Sequence, residues 1–152
     1  MATRTTGPGS GGTGFVASTA WTEAAIDKLP GGLAGYDTNA GASAQTATDD
    51  YGTVTFTSLD DRFYMVEIST GITVNTNSAV ILVSIANASN AALVATTLDY
   101  AAGENGAVRL RYLATGDGTS KTFKCRVQRS SGTGTYSIGE VLVTVLDVGP
   151  AF

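Results

Sequence analysis

Val108-Arg-Leu-Arg-Tyr112, followed by Phe123-Lys-Cys-Arg-Val-Gln128, decides the fold class. In both stretches apolar and polar side chains alternate one for one. That period of two marks a β-strand with one face in a core and the other in water. The same rhythm extends in both directions. Val54 and Phe56 alternate with Thr53, Thr55 and Thr57. Tyr64, Val66 and Ile68 share one strand face, and Phe63, Met65 and Glu67 share the other. Ala79 to Ile85 is short and apolar on both faces, which suits a strand covered on two sides. Ala91 to Leu98 is a further candidate, and Val141-Leu-Val-Thr-Val-Leu146 closes the series.

Turn chemistry separates these runs, at Leu59 to Asp61, Asn75 to Asn77, Asn87 to Asn90, Gly103 to Gly106, Gly116 to Gly118 and Ser130 to Gly134. Strands so spaced, with no helical pattern between them, indicate an all-β antiparallel sandwich or barrel and exclude a doubly wound α/β fold. The body is expected over 53–152. On the last strand, Val141, Val143 and Val145 share one face while Leu142 and Leu146 share the other. Such a strand either lies centrally in a sheet or turns its outer face to a partner.

The N-terminal third reads differently. Met1 to Gly14 is rich in Gly and has little to bury, so a flexible arm is expected. Its Gly7, Gly9 and Gly12 spell G-x-G-x-x-G, but no strand precedes them, so a dinucleotide site is not expected. Over 15–52 the reading is a short strand at Phe15 to Thr19, a short helix at Trp21 to Leu29 stopped by Pro30, and a long loop. That loop, Gly31 to Gly52, is a candidate interaction region, since long unstructured connections in small domains are often functional.

Composition limits the chemistry. Only 14% of residues are charged, net charge is −4, and 9 basic residues face 13 acidic ones. Nucleic-acid binding, which needs cations to displace phosphate counterions, is not expected. Neither is a membrane span or a polybasic membrane patch. There is no histidine, which removes the commonest general base and metal ligand. Cys125 shares a strand face with Phe123 and Val127 and reads as a core residue. The acidic pairs Asp49–Asp50 and Asp60–Asp61 have the oxygen ligands calcium takes, yet each flanks a strand, where Asp commonly serves a turn. The reading is therefore a non-enzyme, with no catalytic, cofactor-binding or metal residues and no cofactor. Trp21, Tyr36, Tyr51 and Tyr100 lie outside the best-patterned strands. They could anchor an interface or stack on a sugar, or, for Trp21 and Tyr51, cap the core.

Three short motifs add a resemblance. Arg62-Phe-Tyr-Met-Val-Glu-Ile68 follows R-x-Y-x-V, Arg129-Ser-Ser-Gly-Thr-Gly-Thr135 follows R-x-S-G-T-G-T, and the chain closes on Asp147-Val-Gly-Pro150. In this order, with Gly14-Phe-Val-Ala17 at the start, they resemble phage virion modules of the kind seen in capsid decoration, head-fibre and minor tail proteins. The resemblance implies a jelly-roll-like β-sandwich, often trimeric, with a structural or attachment role and no catalytic residues. The Gly/Ala-rich region from Ala24 to Tyr51 departs from the pattern and leaves the strand count open. On this basis the expected function is that of a decoration (minor capsid) protein on the outside of the head shell. Its partners would be the major capsid protein and further copies of itself, as a homotrimer. No signal-peptide pattern is present, so synthesis in the host cytoplasm is expected. The alternative is a tail-tip or fibre module that binds a host receptor glycan. A secreted carbohydrate-binding or hydrolytic sandwich is a third reading.

Overall fold

Where alternation is strongest in the sequence, the chain is sheet. The computed structural model describes residues 31–150; the expected arm, the strand at Phe15 to Thr19, the helix at Trp21 to Leu29 and the start motif at Gly14 lie outside them. Ten strands follow one another among the described residues, with no helix. They are β1 (Gly32–Asn39), β2 (Ala42–Gln45), β3 (Asp49–Thr57), β4 (Arg62–Thr76), β5 (Ala79–Asn87), β6 (Ala92–Tyr100), β7 (Asn105–Thr115), β8 (Ser120–Gly132), β9 (Thr135–Ile138) and β10 (Val141–Pro150).

Two antiparallel sheets result. In the first, β4 pairs β7 along one edge, while β10 and β9 lie end to end along the other. β1 and β2 then lie end to end outside β10 and β9. The second sheet runs β3-β8-β5-β6. If β1/β2 counts as one broken strand and β9/β10 as another, the eight strands are ordered 1-8-3-6 over 2-7-4-5. Two sheets in that order form a jelly roll, as the patterning and the motifs predict.

Between the sheets lie Val66, Ile68, Ile72 and Val74 of β4, Ile81, Val83 and Ile85 of β5, and Val141, Val143 and Val145 of β10, all at most 1% exposed. Each contributes about 1.5–3 kcal/mol through burial, as an upper estimate. Cys125 and Val127 of β8 join them, at 0% exposed. On β5 only one face meets the opposite sheet; Val80 and Leu82 on the other are half-buried.

The expected loop over 31–52 is corrected by the structure, which forms it into β1, β2 and the start of β3. Among the described residues the sandwich therefore begins at Gly32 rather than Thr53. The cause is close approach of the two sheets at their β1–β3 corner. A Cβ on Gly35 would sit 2.6 Å from Val54 Cγ1, and one on Gly52 would sit 2.9 Å from Val143 Cγ2. Large residues of neighbouring strands fill this corner, so β1 and the start of β3 need small ones there and carry no apolar rhythm. Asp37 bridges the corner, its Oδ2 accepting from Thr53 N at 2.8 Å.

The break between β1 and β2 faces the break between β9 and β10. Gly41 has φ +83°, and a Cβ there would meet Ile138 O at 2.2 Å. Beside it, Gly139 N donates to Gly71 O at 2.8 Å. These three glycines mark a crease across the first sheet.

Candidate interaction face

The two outer faces of the sandwich are unlike. On the second sheet, Thr53, Thr55 and Thr57 of β3 face Lys124, Thr122 and Ser120 of β8 in register. Asp50 ties this face together, accepting from Lys124 Nζ at 2.9 Å and Arg126 Nη1 at 2.6 Å. It is a solvated polar face, as the alternation of Lys124 and Arg126 predicts.

The first sheet is different. Register places Leu33 of β1 opposite Leu146 of β10, Leu146 opposite Met65 of β4, and Met65 opposite Leu113 of β7. One apolar row thus crosses the full width of the sheet on its outer side. Leu33 is 57% exposed, Leu113 49% and Leu146 42%, with Met65 half-buried among them. Tyr36, Leu142 and Val148 are also exposed on β1 and β10. Leu59, in the loop before β4, is the one further exposed large apolar residue among the described residues. Single exposed apolar residues are ordinary, but a contiguous row is the mark of a contact surface.

Charge flanks the row on both sides. On one side Glu67 sits between two arginines, bonded to Arg109 Nη2 at 2.7 Å and to Arg111 Nε. Arg109 beside it holds the Glu67 carboxyl below its usual range against the opposing effect of burial, with Arg111 adding to the shift. Both arginine side chains are more than 60% exposed, so this bank presents two cations over one carboxylate. On the other side lie Asp60 and Asp61 before β4 and Asp117 after β7, all exposed. Lys121 Nζ, 2.6 Å from Asp117 Oδ2, leads the contacts that hold that carboxyl well below its ordinary range, with Thr119 adding to them. Ser58 keeps the two loops together, its Oγ donating to Thr119 O at 2.9 Å and accepting from Asp117 N at 3.2 Å.

The outer face of β10 thus answers both halves of the sequence reading. The strand is central in its sheet, yet nothing among the described residues covers Leu142 and Leu146. Of the four singled-out aromatics, Tyr36 is 65% exposed on this face, Tyr51 is buried in the core, Tyr100 is half-buried against it, and Trp21 lies outside the described residues. The row members Leu33, Met65 and Leu113 escape sequence reading. Only strand register joins them, and the signal available beforehand was an apolar residue at an outward position of each strand.

The acidic pairs do not come together. Asp50 is engaged by two cations, Asp49 Oδ1 accepts from Asp50 N at 2.9 Å, and Asp60 and Asp61 form a turn in which Asp61 has φ +51°. The three motifs, in contrast, prove structural. Arg62 Nε lies 2.9 Å from Asp147 Oδ2, with both side chains at least nine-tenths buried, so the first motif clasps the last. Tyr64 Oη accepts from Leu59 N at 2.9 Å, and Arg129 Nη1 donates to Gly134 O at 2.8 Å across its own hairpin.

No family model matches the chain, and no curated protein matches it. Among solved structures it is similar to infectious bursal disease virus Gx strain at 11% identity and TM-score 0.42, covering 77% of this chain and 32% of that one. It is similar to dimeric latent PorU from Porphyromonas gingivalis at 8% identity and TM-score 0.45, covering 79% and 14%. A CBM4 structure gives 15% identity and TM-score 0.39, covering 74% and 71%. The chain thus spans only a minor part of the first two. None of these likenesses is close enough to bear on function, and the jelly-roll assignment rests on the chain's own strand order and register.

Proposed function

We propose that this chain is a non-enzymatic structural protein of a bacteriophage virion, a decoration protein on the outside of the head shell. The observation that supports a role in assembly is the apolar row across the outer face of the first sheet. A surface of this breadth, flanked by charge, suits a protein partner. Tyr36 is the one aromatic among the large, strongly exposed apolar residues described, whereas stacking on sugar rings calls for several aromatic platforms. The virion context comes from the resemblance carried by the three motifs, the first and last of which meet in space as the clasp between Arg62 and Asp147. In this reading the Gly-rich segment Met1 to Gly14 grips the major capsid protein.

Fractionation of purified particles tests the proposal. Heads and tails are separated and the chain is quantified by mass spectrometry. Recovery with tail-less heads, at many copies per particle, is the expected result. Recovery with tails would favour the receptor-binding alternative, and absence from both fractions would overturn the virion reading. Deletion of Met1 to Gly14 should then abolish head binding while the sandwich stays folded.

A further inference from the structure

We propose that the outer face of the β1-β10-β4-β7 sheet pairs with the same face of a second copy, about a two-fold axis lying along the Leu33-Leu146-Met65-Leu113 row. This goes beyond the virion reading and does not depend on it. A two-fold contact must be self-complementary, so that each residue finds its counterpart when the face is turned over. The register tests that directly.

Turning a face about the row leaves every strand over its own copy, running antiparallel. Leu33, Leu146, Met65 and Leu113 each meet themselves, and the apolar rows close on one another. Positions equally far from the row are exchanged. Arg109 of β7 and Asp117, two residues past the end of that strand, are each four residues from Leu113, on opposite sides. Arg109 of one copy therefore comes over Asp117 of the other. Next to it on β4, Ser69 is paired with Arg109 in register and exchanges with Asp61, again four residues either side of Met65. The basic bank of each copy thus meets the acidic bank of the other at both ends. No like-charged banks are brought together.

Size agrees with this pairing. Four strands about 4.8 Å apart and nine residues at about 3.4 Å each give a face of roughly 19 by 30 Å. With side-chain relief this approaches the scale of the ~800 Å² that each partner buries in a specific interface. The apolar row alone is much smaller, so the charged banks are part of the contact rather than its rim. Face-to-face sheets pack at about 30° to one another, a rotation that keeps the row in contact and both bank pairs within reach of arginine. The arrangement is two-fold, in place of the three-fold assembly that the motif resemblance implies.

Analytical ultracentrifugation of the full chain at about 50 μM should give the mass of a dimer. Raising salt from 50 to 500 mM should weaken it several-fold, because the banks are exposed and screened. R109D, which places carboxylate over carboxylate, should weaken self-association at least tenfold, and L113D should leave a monomer. Leu113 and Arg109 are both exposed, so neither change should unfold the sandwich. As a geometric check, L113C and M65C should each cross-link to their own copy with a short bismaleimide. T97C, on the outer face of the second sheet, should not. A monomer or trimer mass for the full chain would overturn the proposal. So would equal cross-linking by T97C, or a dimer insensitive to both L113D and R109D.

Discussion

At the scale of single residues, the buried pair Arg62–Asp147 is the most consequential feature. An ion pair out of water adds little by itself, but removing one partner leaves a buried charge poorly compensated. D147A should therefore lower stability by about 3 kcal/mol, read as a shift in the urea midpoint at unchanged slope. R62M combined with D147L should recover much of that loss, since an apolar pair of similar volume suits the site. Cys125 gives a second test. It is fully buried, and burial, with Asp50 adding, pushes its thiol up to about 12. A thiol reagent at pH 8 should leave the native protein unmodified and react stoichiometrically once urea unfolds it; rapid labelling of the native state would contradict this.

At the scale of elements, legibility in the sequence follows the size of the side chains. Strands β3 to β8 and β10 carry large apolar residues at alternate positions, and those residues announce them. β1, β2 and β9 are short or small-residue strands. Their positions are dictated by what lies across from them, as Gly35 of β1 is by Val54, and the same holds at the start of β3, where Gly52 lies against Val143. A local pattern cannot report a distant neighbour's bulk, so Gly31 to Gly52 reads as loop. The apolar row is half-legible for a related reason. Leu142 and Leu146 stand out because the whole of β10 is apolar, while Leu33 and Leu113 look like stray surface residues until register aligns them. The crease at Gly41, Gly139 and Gly71 is the element-level device most open to test. G41A combines a positive φ with a Cβ 2.2 Å from Ile138 O, so it should cost at least about 2 kcal/mol and free β2 from β9. Hydrogen exchange should show this as lost protection at Ala42 to Gln45, with β5 and β8 unchanged.

At the scale of the whole molecule, the two sheets divide the work. One turns a polar face to water, and the other carries an apolar row between opposite charges, so the sandwich has a front and a back. The strand order adds a demand of another kind. Gly32 pairs with Asp147, and Asp49 with Val127, so both early strands find their partners near the far end of the described chain. Such non-local pairing slows folding, and refolding from urea should take milliseconds to seconds rather than microseconds in stopped-flow fluorescence. During synthesis the wait is longer. With about 110 residues between β1 and its partner, and roughly 5–20 residues added per second, β1 leaves the ribosome some 5–20 s before β10 exists to receive it. For that interval a nascent chain carries an unpaired strand edge. The glycine, threonine and asparagine that hide β1 from a reader of the sequence also make it a poor template for aggregation while it waits.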